Sequence, residues 1–362
     1  MIVDVVFRVD ASPRLGAGHL TRCLTLAAHL KRNGARVKLL MRPIDAGAAG
    51  LIAAAGMECV ILTPDSSGEV DERREFDWHA DVDACVPRLR TQRRPLILVV
   101  DHYDLDARWE KRVRPEVDRL VVIDDLANRA HECDWLLDQT FGRDVKDYAG
   151  LVPDGCRFLL GAEFCLLRPQ FAKARAATFF RPGSDFPRTL HLFFGSSDVR
   201  SNTPHFAGLI LENFPNIAVK VALGRSVPSM ERALDSLAKI HWGRLTWDKG
   251  ISDMAAHITG CDVAVGAPGI TTWERACLGV PGAYVAISEN QEPLLEALAL
   301  SGFCVYLGRD STIDDVEFIE RTRYFLNDHQ RLAQMRATGL AAIDGLGIER
   351  VVRLMFQIEC TR

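Results

Sequence analysis

Short, uninterrupted apolar runs that end in polar clusters and lead into helical spacing constrain this chain most. Leu96-Ile97-Leu98-Val99-Val100 is apolar at every position, without the alternation of a half-exposed antiparallel strand, so both its faces must be covered. It ends in Asp101-His102-Tyr103-Asp104. Ile2 to Phe7 behaves alike, broken only by Asp4, and passes through Arg8-Val9-Asp10 toward Gly16-Ala17-Gly18-His19. Leu20, Cys23, Leu24, Ala27 and Leu30 then fall at helical spacing. Leu120 to Ile123 ends in Asp124-Asp125, and Trp135-Leu136-Leu137 in Asp138-Gln139-Thr140. Such strands alternating with helices predict an α/β fold with a doubly wound parallel sheet, its polar side chains gathered at one edge.

A second series follows a weakly periodic stretch from Phe141 to Pro187 that contains the linker-like Arg181-Pro182-Gly183-Ser184. Thr189 to Phe194 leads into Gly195-Ser196-Ser197-Asp198 and a helix from about Asn202. Val263-Ala264-Val265 leads into Gly266-Ala267-Pro268-Gly269 and a helix over Thr271 to Leu278. Tyr284 to Ile287 leads into Glu289-Asn290-Gln291-Glu292. At 362 residues the chain exceeds one ordinary core. The expected division is a Rossmann-like domain over 1–180, a second over 181–345, and a terminal helix in 346–362 that packs back on the first. Two such halves, each with small-residue loops, predict a ligand held in the cleft between them. Thr63 to Asp77 is polar, with Pro64 and Gly68, and is expected to form a loop or insertion.

The bulk properties narrow the function classes. With 48% apolar and 25% charged residues, two cores can be filled. The 44 basic and 48 acidic residues give a net charge of −4 without a basic run, which argues against nucleic-acid partners. No stretch of about 18 uncharged apolar residues is present, so no membrane span is expected. The first residues enter a strand interrupted by Asp4, unlike a signal peptide. Ten scattered cysteines without a C-x-x-C pair fit reduced core thiols in a cytoplasmic protein, expected to be a monomer.

Three constellations carry candidate chemistry. A strand–glycine loop–helix turn offers free amides and the positive helix end to an anion. Gly16-x-Gly18-His19 has this form, but lacks the third glycine of a dinucleotide fingerprint and the lysine of a P-loop. His19 is either a base or a residue on a turn, with His102 as its rival; Asp10 or Asp101 would orient the imidazole or bind hydroxyls. In the second half, the small residues of the 195–198 and 266–272 loops let phosphate oxygens approach the backbone, and Ser196, Ser197, Thr271 and Thr272 add hydroxyls. Glu274 either complements the helix dipole or accepts two ribose hydroxyls. Asp81-x-Asp83 has the spacing of a metal-binding pair but lies in a polar, helix-prone stretch, so no metal is expected.

Together the motifs are more specific than any one loop. Phe7-Arg8-x-Asp10-Ala11-Ser12, Gly16-x-Gly18-His19-x-x-Arg22-Cys23-Leu24, Asp101-His102-Tyr103 and Ile123-Asp124-Asp125-Leu126-Ala127-Asn128-Arg129 are followed by Cys133-Asp134-x-Leu136-Leu137-Asp138-Gln139. Gly161-Ala162-Glu163-Phe164-x-Leu166-Leu167-Arg168-Pro169, Thr271-Thr272-Trp273-Glu274-Arg275 and Glu289-Asn290-Gln291 complete the set. Over residues from about 4 to 310 the chain resembles the UDP-sugar hydrolases of pseudaminic acid biosynthesis, which act on UDP-2,4-diacetamido-2,4,6-trideoxy-β-L-altropyranose, and related spore-coat polysaccharide proteins.

The resemblance implies a GT-B fold and metal- and cofactor-independent hydrolysis at the anomeric carbon with inversion, giving UDP and the free sugar. It makes His19 the base, puts Tyr103 on the sugar side, and maps uracil and ribose contacts near Glu274 and a sugar–phosphate contact to Asn290. The substrate-binding set so expected is Asp10, Gly16, Gly18, Asp101, Tyr103, Ser196, Asn202, Gly269, Thr271, Thr272, Glu274, Asn290 and Gln291. Gly195-Ser196-Ser197-Asp198 departs from the Gly-Gly-x-Asp usual in that family. The alternatives are a glycosyltransferase of the same fold using a UDP-sugar donor, a hydrolase of another UDP-diacetamido sugar, and a non-catalytic nucleotide-sugar sensor.

Overall fold

The computed structural model describes residues 3–11, 18–62, 76–177, 187–195, 198, 200–224 and 227–357. Gly16, Ser196, Ser197, the Arg181–Ser184 linker and nearly all of the Thr63–Asp77 segment lie outside the described residues. In chain order the strands are β1 (Asp4–Val9), β2 (Arg36–Met41), β3 (Glu58–Ile61), β4 (Leu96–Asp101), β5 (Arg119–Ile123), β6 (Trp135–Asp138), β7 (Arg157–Leu160), β8 (Thr189–Phe193), β9 (Ala218–Leu223), β10 (Leu245–Lys249), β11 (Val263–Gly266), β12 (Gly282–Ala286) and β13 (Val305–Arg309). The helices are α1 (Gly18–Arg32), α2 (Ala46–Ala54), α3 (Trp78–Arg90), α4 (Ala107–Val113), α5 (Pro169–Ala177), α6 (Asn202–Asn213), α7 (Pro228–Ile240), α8 (Met254–Ile258), α9 (Ile270–Cys277), α10 (Glu292–Leu300), α11 (Asp315–Asn327), α12 (His329–Ala342) and α13 (Gly347–Gln357). Among the described residues, no helix is long and apolar enough to cross a membrane.

The chain divides into two units, one running to Leu166 and resuming at Leu346, the other spanning Leu167–Gly345. The boundary thus precedes the 180/181 position expected from sequence. The physical reason is α5, whose Arg175 bonds the carbonyls of Cys277 and Leu340 at 2.8 and 2.7 Å and so ties this helix to the second unit.

The first unit holds a seven-stranded parallel sheet in the order β3-β2-β1-β4-β5-β6-β7. Its central strands β1, β4, β5 and β6 are buried on both faces, and their alternation sorts side chains into two cores. Val5, Phe7, Val9, Val99 and Ile123 pack with α1, α2 and α13; Val6, Leu98, Val100 and Val122 pack with α3 and α4. Ile348, Val351 and Val352 of α13 belong to the first of these cores. Asp45, Asp77 and Asp106 accept N–H bonds at the starts of α2, α3 and α4, each worth about 1 kcal/mol. The second unit holds a six-stranded parallel sheet, β10-β9-β8-β11-β12-β13.

In each sheet the strand order reverses once: between β1 and β4 in the first, between β8 and β11 in the second. Such switch points open a crevice at the carboxyl ends of the strands, where ligands bind in open α/β sheets. Parallel register pairs Val9 with Asp101, so the residues following β1 and β4 emerge side by side.

Candidate functional site

At the first switch point, α1 begins with Gly18 and carries His19 on its first turn, with Arg22 three residues on and hence on the same helix face. Asp101, the last residue of β4, accepts from His19 Nδ1 at 2.6 Å, from Arg22 Nε at 2.6 Å and Nη2 at 2.7 Å, and from the Cys23 thiol at 3.3 Å. Arg22 Nη1 reaches on to Asp125 at 2.8 Å. The Tyr103 ring stands edge-on to His19, centroids 4.5 Å apart, and its phenol faces the Asp125 carboxylate, whose charge acts on it.

The charges fix the tautomer. Burial pushes the Asp101 carboxyl up, but Arg22 and His19 hold it well below the usual carboxylate range, so it is ionised and can only accept. His19 Nδ1 lies 2.6 Å from this acceptor-only oxygen and 3.0 Å from Arg22 Nη2; the short contact to Asp101 requires hydrogen on Nδ1, which in the neutral ring leaves the lone pair to Nε2. Burial and the Asp125 carboxylate push the Tyr103 phenol well above its ordinary value, so it stays protonated and acts as neither base nor anion. An imidazole oriented at one nitrogen by a buried carboxylate, and without a hydrogen-bond partner at the other among the described residues, has the arrangement of a general base.

Asp10 belongs to a neighbouring cluster. The fully buried Arg8 grips it at 2.6 and 2.8 Å and grips Asp81 at 3.1 and 2.6 Å. His102 bonds Asp10 at 3.0 Å through Nε2 while its Nδ1 accepts from the Asp104 N–H at 3.1 Å. Both nitrogens of His102 are thereby committed. Asp101, not Asp10, bonds His19, and Arg8 braces β1 against α3 while holding Asp10. Asp81 also accepts from Trp109 Nε1 at 3.0 Å, so cations and an indole occupy the carboxylate of the Asp81-x-Asp83 pair.

At the second switch point, β11 runs so close to β8 that a Cβ on Gly266 would lie 1.9 Å from the Phe193 carbonyl oxygen. Gly269 follows at φ 137° with open space where a side chain would stand, immediately before α9. The Thr272 hydroxyl accepts the Gly269 N–H at 3.3 Å and ties the loop to the helix; Thr271 is buried beside it. Glu274 is 2% exposed. Its Oε1 accepts from Arg168 at 3.1 Å, and among the described residues its buried Oε2 has no partner. Burial raises the Glu274 carboxyl and Arg168 opposes the shift.

The other expected ligands are placed less directly. Asn202 Nδ2 bonds Asp310 at 3.0 Å, and the first amides of α6, those of Asn202 and Thr203, bond the Asp198 carboxylate at 2.9 and 2.7 Å. That helix end already holds a negative charge, which disfavours a phosphate there. Asn290 is exposed and accepts from the Ser288 hydroxyl at 2.6 Å; Gln291 turns inward to accept the Ile287 N–H.

Sequence reasoning assigned no role to Arg22, Asp125 or Arg168. Arg22 was detectable as the basic residue one turn beyond His19, and Asp125 as the polar end of an apolar run.

No known protein-family profile matches the chain. Over 239 residues it is 23% identical to UDP-2,4-diacetamido-2,4,6-trideoxy-β-L-altropyranose hydrolase of Campylobacter jejuni, covering 66% of this chain and 76% of that protein. Over 264 residues it is 22% identical to the spore coat polysaccharide biosynthesis protein SpsG of Bacillus subtilis, covering 72% and 76%. Among solved structures, MurG of Acinetobacter baumannii matches with a TM-score of 0.68 at 14% identity, over 99% of this chain and 100% of that one. The chain has the GT-B fold, and its sequence resembles the C. jejuni hydrolase and B. subtilis SpsG.

Proposed function

We propose that this protein is a UDP-sugar hydrolase that cleaves UDP-2,4-diacetamido-2,4,6-trideoxy-β-L-altropyranose at the anomeric carbon with inversion. A water O–H gives its proton to His19 Nε2 as the water oxygen bonds the anomeric carbon. The bond from that carbon to the diphosphate oxygen breaks, and UDP leaves with the electron pair. His19 ends as an imidazolium beside ionised Asp101, a charge pairing that lowers the barrier. Tyr103 is the sugar-side hydroxyl. The α9 start, open beside Gly269, receives the diphosphate, where amides and the helix dipole meet the developing negative charge. Glu274 receives ribose hydroxyls, and Asn290 contacts the sugar–phosphate end.

The observation that carries this reading is the His19–Asp101 pair at the β1/β4 switch point, with Nδ1 engaged and Nε2 unpartnered among the described residues. The sequence resemblance to the C. jejuni hydrolase supports the substrate class.

The test is incubation with the UDP-sugar alone, followed by proton NMR. The expected products are equimolar UDP and free sugar, the first-formed anomer inverted. Release only after an acceptor alcohol is added would make the protein a transferase. Binding without release under both conditions would make it a sensor. Faster turnover of another UDP-diacetamido hexose would reassign the sugar.

A further inference from the structure

We propose that Asp125 is a positioning residue that, through Arg22 and Tyr103, sets both the aim of His19 and the charge the site presents to the proton it takes up. This inference rests on the reading of His19 as a base.

Three bonds run in series, His19 to Asp101, Asp101 to Arg22 and Arg22 to Asp125, while Tyr103 packs its ring on His19 and feels the Asp125 charge at its phenol. The imidazole is held by a carboxylate at Nδ1 and by an aromatic edge against its ring. Asp125 anchors the end of the series that Asp101 does not reach.

Charge gives the second role. The cluster holds two carboxylates, Asp101 and Asp125, against one guanidinium, Arg22. With a neutral imidazole it carries one net negative charge; when His19 takes the proton from water, it becomes neutral. The other groups facing it do not alter that sum. Burial and Asp101 push the Cys23 thiol up, so it stays protonated, and Tyr103 is protonated. Arg143 touches only the Asp125 backbone carbonyl, at 2.9 Å, and is paired with Asp138. Asp124 is spent on Arg129 and Tyr148. Asp125 is therefore the uncompensated charge. One of its oxygens, Oδ1, is buried and has no partner among the described residues, so its charge is only partly satisfied.

The experiment follows the His19 ring by proton–nitrogen NMR across pH in the full chain, with no substrate, beside the pH dependence of kcat/KM. Asp125→Asn should lower the ring's titration midpoint by about one pH unit. It should also lower kcat about tenfold at an unchanged KM. Asp125→Glu should restore both. Tyr103→Phe removes the phenol dipole that faces Asp125 and should move the midpoint the opposite way, upward, and it serves alone if Asp125→Asn does not fold. Midpoints that coincide with wild type, or move the same way in both variants, overturn the proposal. His19→Ala separates the two claims: undiminished turnover there overturns the base reading, whereas the ring titration judges Asp125 independently.

Discussion

Replacing Asp101 with asparagine tests the site at its centre. Asp101 accepts two bonds from Arg22, one from His19 and one from Cys23. In Asp101→Asn, Arg22 can only donate, so the amide oxygen must turn toward it and the NH2 toward His19 Nδ1. That forces the opposite tautomer, with hydrogen on Nε2 and the lone pair buried on Nδ1. The base is then aimed wrongly, and a loss of about 10²–10⁴ in kcat is expected. Stability falls too, because Arg22 keeps a single carboxylate, Asp125. Breaking a buried pair costs about 3 kcal/mol, and at about 2–4 °C per kcal/mol for a unit of this size the melting point drops by roughly 6–12 °C. Since Asp101 is held well below its ordinary 3.8, its stabilisation is complete above that pH, and the gap between wild type and variant should start to narrow only as the pH is taken below about 4. UDP affinity by calorimetry should be unchanged. A variant with kcat within about threefold of wild type and an unchanged melting point would refute the assignment of Asp101 as orienter.

Other outcomes follow from single positions. Burial opposes charge on His131, but Asp124 and Glu110, the latter at 2.8 Å, push it up to about 9. Its contribution is complete below its ordinary 6.5 and is lost as pH rises through about 9, so melting scans should fall between pH 7 and 9.5 for wild type and stay flat for His131→Gln over that range. Gly266→Ala would put a methyl 1.9 Å from a backbone carbonyl and force β8 and β11 apart; a loss of at least about 3 kcal/mol in chemical denaturation is expected. Glu274→Gln should weaken UDP binding about tenfold. Because burial raises that carboxyl, wild-type UDP affinity should decline in mild acid while the variant's does not, as calorimetry across pH would register.

Central strands were legible because burial on both faces leaves continuous apolar runs, as in β1, β4, β5 and β11. Edge strands hide their signal. Leu245–Lys249 is mostly exposed, and Arg157–Leu160 buries fully only Leu159, so β10 and β7 lack such a run and fall in stretches without clear strand periodicity. The 228–240 helix was likewise unread, although Pro228 stands at its start, a favoured position. Site residues that follow strands were visible as polar clusters, which is why His19, Asp101 and Tyr103 could be named together. The partnerships were not visible. Arg22 meets Asp101 and Asp125 across 79 and 103 positions, and Asn202 meets Asp310 across 108. Contacts of that range depend on strand order, and no local pattern encodes the reversal between β1 and β4. The choice between Asp10 and Asp101 as orienter turned on the same fact: Arg8 points to the α3 side of the sheet and takes Asp10 with it.

The most direct test of the central claim is a single turnover of the UDP-sugar in ¹⁸O-labelled water. Attack by His19-activated water on the anomeric carbon places the label on the free sugar and leaves the UDP unlabelled. Label on the terminal phosphate of UDP would mean attack at phosphorus and would contradict the account.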